Sequence, residues 1–274
     1  MKILLKGDHS RLHAGSAAVW RRLVQLIEES SNHEIVTKHD WDCIIVNGEG
    51  SLRDLKSISK LALAEKAKKL NKKAYLINTV WQNNKKCSHC KRGELHELYL
   101  SYFEEVCVRD IISFEEIKSI RPDAKIFTDL SYDLPVNISP TNNKYIYGVG
   151  GFFYNPGIKV IKELPQFNFT PIKIKHFSTW EEFLSKLRHV KHYVTGFHHE
   201  FIAACKMRVP FSAFRGNCDK VLGVIKRSGA EIPVACNSVE LKHNILNPPP
   251  QSEYDKLFDF LASQKPFSLT DINI

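Results

Sequence analysis

Apolar residues arrive along this chain in two rhythms. Short β-branched runs, KILLK (2–6), EIVTK (34–38), DCIIVN (42–47), AYLINTV (74–80), EVCVRD (105–110) and KIFTDL (125–130), predict strands. The segments between them, 14–30, 52–71, 93–104 and 111–120, space apolar residues three and four apart and predict helices. Strands alternating with helices imply right-handed crossovers and a mainly parallel sheet. Around 134–144 the rhythm breaks: DLPVNISPTNNK holds two prolines and several asparagines, as a linker would. It then restarts with YIYGVGGFF (145–153), PIKIKHF (171–177), VKHYVTG (190–196) and VPFSAF (209–214), with helices near 157–164, 179–189, 199–207 and 217–228. The expected fold class is therefore α/β, in two halves joined by that linker, 1–138 and 139–274. No internal repeat interrupts this order, and PPP (248–250) is the sole low-complexity tract.

Open parallel sheets collect ligands beyond the carboxyl ends of their strands, and the polar residues of this chain gather there. In NGEGS (47–51), Gly48 flanks Glu49 after a strand. The fragment fits either close approach to a ligand oxygen or a tight turn with Ser51 as helix N-cap. GVGGF, with Gly148, Gly150 and Gly151, suits the approach of a phosphate without matching the dinucleotide fingerprint. Asp8, His9 and His13 form a polar cluster in the first loop, where an aspartate can orient an imidazole that works as a base. The densest chemistry lies in TGFHHE (195–200), where His198 and His199 open a helix whose amino end favours an anion. Each histidine taken singly fits capping or packing better than catalysis; the pair in this loop points to proton transfer.

Charge changes the picture. Against 30 Asp and Glu stand 39 Lys and Arg, a net +9, which favours an anionic partner. Residues 66–93 hold nine Lys or Arg and no acid. Of these, Lys85, Lys86, Lys91 and Arg92 lie in the loop after AYLINTV, beside Trp81, an arrangement suited to a phosphodiester backbone. In the same loop Cys87 and Cys90 make half of a zinc site, and no second pair stands at finger spacing. The seven cysteines have no framework spacing and read as reduced thiols. No apolar run nears the about 20 residues that span a bilayer, and the amino terminus turns polar too soon for a signal-peptide core. A cytoplasmic protein is expected.

Taken in order, HAGS (13–16), IIVNGEGSL (44–52), AYLINTVWQNN (74–84), VCVRDIIS (106–113), TDLS (128–131), VTGFHHEFIAA (194–204) and VPFSAFRGNCDKVLGVIKRSG (209–229) resemble the polysaccharide pyruvyl transferase family. That resemblance implies two Rossmann-like domains in a glycosyltransferase B-type (GT-B) arrangement. It also implies transfer of a group onto a hydroxyl without a required metal or cofactor. The family turn Thr-Gly-Arg-aromatic-His-Gly is matched by Thr195, Gly196 and His199, whereas Phe197 stands where the arginine would grip a carboxylate or phosphate. A nucleotide-sugar donor of UDP type is therefore expected ahead of phosphoenolpyruvate. The second domain would bind that donor through Gly148, Gly150, Gly151, Thr195, Gly196, Arg215, Asn217 and Lys220. His199 or His198 would assist departure of the phosphate, and His13, Asp8 or Glu49 would take the acceptor's proton. Asn47, Gly48, Ser51, Trp81 and the basic loop would face a polyanionic acceptor, either DNA with hydroxymethylated bases or an acidic glycan. Two alternatives stand beside this expectation: pyruvylation of a polysaccharide precursor, and a non-catalytic nucleic-acid-binding module.

Overall fold

In the computed structural model, residues 1–7, 13–38, 40–49, 58–82, 94–152, 155–216 and 218–274 are described. They divide into two compact units: Met1–His9, Val19–Asp133 and Lys265–Ile274 in the first, Ser10–Ala18 and Leu134–Gln264 in the second.

The first unit follows the alternation in the sequence. Its elements run β1 (Lys2–Gly7), α1 (Ala14–Glu28, whose first residues count with the second unit), β2 (Glu34–Val36), β3 (Cys43–Asn47), α2 (Ile58–Lys69), β4 (Lys73–Thr79), α3 (Glu94–Leu100), β5 (Glu105–Val108), α4 (Ile111–Ile117), β6 (Lys125–Ile126) and α5 (Leu130–Asp133). The six strands are parallel, in the order β2-β1-β3-β4-β5-β6. Every residue of β3 is buried, as a central parallel strand covered on both faces requires. Its side chains alternate between two cores. Ile44 and Val46, with Leu76, Val106 and Val108, pack against Leu61, Ala64 and Ala67 of α2. Cys43 and Ile45, with Tyr75, Ile77 and Cys107, pack against Val19, Leu23 and Ile27 of α1 and against Phe267, Leu269 and Ile272.

The second unit contains β7 (Ile146–Val149), α6 (Asn155–Lys162), β8 (Thr170–Pro171), α7 (Trp180–Leu187), β9 (Val190–Thr195), α8 (His198–Lys206), β10 (Phe211–Phe214), α9 (Lys220–Ser228), β11 (Val234–Ala235), α10 (Ser238–Leu246) and α11 (Gln251–Ser263). Its five strands are also parallel, ordered β11-β10-β9-β7-β8. Numbered within their own units, the strands of both sheets share the order 2-1-3-4-5, with a sixth strand added in the first. The switch point falls between β1 and β3 in one sheet and between β7 and β9 in the other.

Several sequence expectations are adjusted. The first unit closes at Asp133, five residues before the expected boundary at 138, and Lys265–Ile274 return to it. Phe267 meets Phe127 edge-on at 5.2 Å, and the Lys125 ammonium donates to the Asp271 carbonyl at 2.7 Å. The strand expected over 171–177 ends at Pro171, which has no N–H to offer the ladder. The segment continues as a 3-10 turn at Ile174–His176. The run KIFTDL keeps only Lys125–Ile126 as strand, since Leu130 already starts α5. Beyond residue 228 the chain adds β11, α10 and α11, and α11 begins directly after Pro250 of the PPP tract.

Candidate active site

At the carboxyl end of β9, Thr195, Gly196 and Phe197 turn the chain into α8, whose first three residues are His198, His199 and Glu200. Glu200 holds this turn. It is fully buried; its Oε2 accepts the Gly151 N–H at 2.8 Å and its Oε1 the Ile174 N–H at 2.9 Å. The Thr195 hydroxyl also donates to Oε2, and itself accepts the Phe197 N–H at 3.0 Å. One carboxylate thus ties together the loop after β7, the loop after β8 and the loop after β9. Burial raises its pKa, against the lowering effect of the Thr195, Ile174 and Gly151 hydrogen bonds. Tyr193, beneath it, is fully buried and donates to the Ile172 carbonyl at 2.6 Å. Burial drives its phenol pKa well above the ordinary value.

This arrangement accounts for the glycines of GVGGF. A Cβ at Gly150 would run into the Glu200 carboxylate and the Tyr193 hydroxyl, and one at Gly151 into the Phe197 ring. Gly148 faces Tyr193 and Val190. The Gly150 and Gly196 amides donate to the carbonyls of Val194 and Gly151, at 2.8 Å each. The close approach these glycines permit is between β7, β9 and α8, so the strand ends lock to one another.

The first turn of α1 clusters with this second unit. His13 precedes the helix; its carbonyl accepts the Ala17 N–H at 3.0 Å and its Nδ1 the Ser16 N–H at 3.3 Å. The His13 and His199 rings lie 5.3 Å apart between centroids, tilted by 56°. Gly15 makes this possible, because a Cβ there would lie 2.5 Å from both Cβ and Cγ of His199. His198 meets His199 at 5.5 Å and Phe201 at 6.3 Å, and only 4% of His198 and 7% of His199 is exposed. Three imidazoles therefore stand at the amino ends of two helices, where backbone N–H groups and the helix dipole favour negative charge. An imidazole so placed can donate a proton to a departing phosphate or take one from a hydroxyl.

The other expected donor residues have defined neighbours. Arg215 pairs with Asp219 at 2.8 Å, and Lys220, the first residue of α9, is buried. In the first unit, Gly7 ends β1 with φ 120°, and any Cβ would collide with the Asn47 backbone at the end of β3. Asn47 is fully buried, and its Oδ1 accepts the Glu49 N–H at 3.2 Å. Glu49 is itself 4% exposed, and a Cβ at Gly48 would lie 2.5 Å from Thr79 Oγ1. Trp81 corrects the sequence expectation. The indole expected to face an acceptor is 1% exposed and packs in the core with Leu61, Leu76 and Leu100. An apolar ring following a buried strand gains more from the core than from solvent. Asp8, Ser51, Lys85, Lys86, Cys87, Cys90, Lys91, Arg92 and Asn217 lie outside the described residues. Among the described residues no group of three His, Cys, Asp or Glu is placed to hold a metal ion. No described helix is long and apolar enough to cross a membrane.

Two polar centres lie in loops that the sequence reading named without giving these residues a role. Glu200 is the first. The second lies at the carboxyl ends of β4 to β6. There Arg109 and Asp129 form an ion pair, with 1% and 0% of their side chains exposed. Asp110 beside them caps α4 by accepting the Ser113 N–H at 2.9 Å, and also accepts Gln82 Nε2 at 2.9 Å. Burial raises the Asp110 pKa against these hydrogen bonds. The signal was present, since RDIIS places an aspartate just before a helical run. What could not be read was that Gln82, beyond β4, reaches Asp110, and that Asp129, beyond β6, reaches Arg109.

Two parallel sheets with matching switch points are two Rossmann-like domains, and the chain has the fold of the GT-B glycosyltransferases and epimerases. Solved structures sharing it include Staphylococcus aureus MnaA in complex with UDP, with TM-score 0.63 and 9% identity over 94% of this chain and 90% of that one. The UDP-GlcNAc 2-epimerase of Neisseria meningitidis bound to UDP-GlcNAc aligns with TM-score 0.59 and 11% identity over 94% of both chains. A functionally uncharacterised protein of Klebsiella pneumoniae aligns with TM-score 0.58 and 15% identity over 86% of this chain and 91% of that one. The polysaccharide pyruvyl transferase family model matches residues 13–217, and the chain belongs to that family. No curated protein sequence matches it.

Proposed function

We propose that the protein transfers a sugar from a nucleotide-sugar, with a UDP-type donor favoured, to a hydroxyl of a polyanionic acceptor. The observation that carries this reading is the packing of His13 against His199, at 5.3 Å, at the amino ends of α1 and α8. The donor's phosphates would lie against these amino ends, Arg215 and Lys220. The acceptor oxygen attacks the anomeric carbon as the bond from that carbon to the phosphate oxygen breaks. The nucleotide leaves with the bonding electron pair, and His199 or His198 donates to its phosphate. The acceptor's proton passes to His13; Asp8 and Glu49 are the other candidate bases. This reading calls for no resident cofactor. The UDP and UDP-GlcNAc in two structures of the same fold support the donor class, and the net charge of +9 supports an anionic acceptor.

Family membership supports a second reading, pyruvyl transfer from phosphoenolpyruvate. Against it stands Phe197, half-buried at the amino end of α8, where a guanidinium would be needed for the donor's carboxylate.

The test supplies UDP-sugars or phosphoenolpyruvate together with acidic glycans or hydroxymethylated DNA. UDP release that depends on acceptor, and falls about 100-fold or more in His199→Ala, is the expected result. Phosphate release from phosphoenolpyruvate alone would replace the first reading by the second. Salt-sensitive DNA binding with no turnover of either donor would point to a binding module.

A further inference from the structure

The amino ends of the second unit's inner strands, where β7, β9 and β10 begin, carry a cavity of about 380 Å³. Lys144 enters it just before β7, Lys191 from the second position of β9, and Arg208 and Pro210 from the turn between α8 and β10. Gln251, the first residue of α11, and Asp255, one turn further on, complete the part that matters electrostatically. Three cations thus face one acid in the lining, with Asp259 beyond it on Arg208.

The cations are held in place. Arg208 has the left-handed φ of 50°, which brings its carbonyl to the Lys144 ammonium, and its guanidinium reaches Asp259 at 2.7 Å and Asp255 at 3.3 Å. The Lys191 ammonium lies 5.4 Å from the centre of the Tyr147 ring. Burial, and after it the charge of Arg208, lowers the Lys144 pKa, against a raising effect from Asp255. The three cations outnumber the two carboxylates that Arg208 engages, Asp255 and Asp259. The amino end of α11, a helix of 13 residues, adds its dipole and its first backbone N–H groups to the same wall.

We propose that this cavity is a second binding site, for a small organic anion bearing at least two negative charges, of the class of sugar phosphates and nucleotides. Its volume lies in the range of about 300–1,000 Å³ typical of small-molecule sites. The excess of fixed cations over acid selects a polyanion over a neutral sugar. The site lies at the amino ends of the strands, and the histidines lie beyond the carboxyl end of β9, so its occupant binds without reacting. The inference stands independently of the transfer reaction.

Inorganic pyrophosphate is a suitable probe, titrated by calorimetry and followed by amide hydrogen exchange. The expected result is slowed exchange across residues 141–145 and 207–212. In Lys191→Glu, an exposed position whose replacement leaves the core untouched, affinity at this site should fall at least tenfold. Lys144→Gln should weaken it too, while His199→Ala leaves it unchanged. Protection confined to 195–200, no protection anywhere, or equal affinity in wild type and Lys191→Glu would overturn the proposal.

Discussion

His192 shows how burial converts one side chain into a pH response. It sits on β9, 7% exposed, with Nε2 at 2.9 Å from the Ser212 hydroxyl, which in turn donates to the Asn244 carbonyl. Burial lowers its pKa from 6.5 to about 4. As pH falls through 6.5 the unfolded chain takes up a proton that the folded chain refuses until about 4, so acid favours unfolding across that window. The stability is fully present above 6.5 and is lost on the way to 4. Between pH 7 and pH 5 the loss amounts to about 2 kcal/mol. Urea melts at those two pH values should show it in the wild type, and His192→Gln should remove about that much of the difference. Glu200 is the opposite kind of group, an acid whose raised pKa accompanies a set of backbone hydrogen bonds. Nothing in HHE distinguishes it from a solvated helix-start glutamate; its burial is decided by which strand ends surround it.

The packing of the first turn of α1 against α8 rests on a missing side chain. In an ordinary helix interior, Gly→Ala stabilises by up to about 1 kcal/mol. At Gly15 the new methyl would lie 2.5 Å from the His199 side chain. Gly15→Ala should therefore destabilise by roughly 1–3 kcal/mol and depress transfer activity by displacing the imidazole. Calorimetric melting and initial-rate measurements give both values, and a raised melting temperature with full activity would break the proposed link between glycine and histidine. Most elements were legible because their period is local: β1, β3, β4, β9 and β10 fall within a residue or two of the apolar runs that announce them. α7 carries a capping box of Thr179 and Glu182, a boundary signal that lies in the sequence itself. The weak elements were those whose pairing is set from outside. β6, β8 and β11 have two residues each, and ladder partners rather than side-chain pattern define them.

Over the whole molecule, chain order and spatial membership part company at the carboxyl terminus. Lys265–Ile274 belong to the first unit, where Phe267, Leu269 and Ile272 join the core that contains Ile3, Leu5 and Ile45. Burying each such side chain is worth about 1.5–3 kcal/mol. Removing residues 265–274 should therefore destabilise the first unit by several kcal/mol. Hydrogen exchange should locate the loosening at β1, β3, β5 and β6, while β9 and β10 stay protected. Loosening confined to the second unit would contradict the division of the chain described above.

Taken alone, the sequence determined the α/β alternation, the parallel character of both sheets, the excess positive charge and the family. Each of these is written in residue type, local period or ordered motifs. The tertiary structure alone decided that Glu200 binds three loops and that Trp81 is core. It also decided that His13 meets His199, and that the last ten residues complete the first unit's core rather than the second's. Those facts depend on contacts between residues far apart in the chain, and the hydrophobic effect that drives them is non-directional. Partners are selected by packing the whole, which no local pattern encodes.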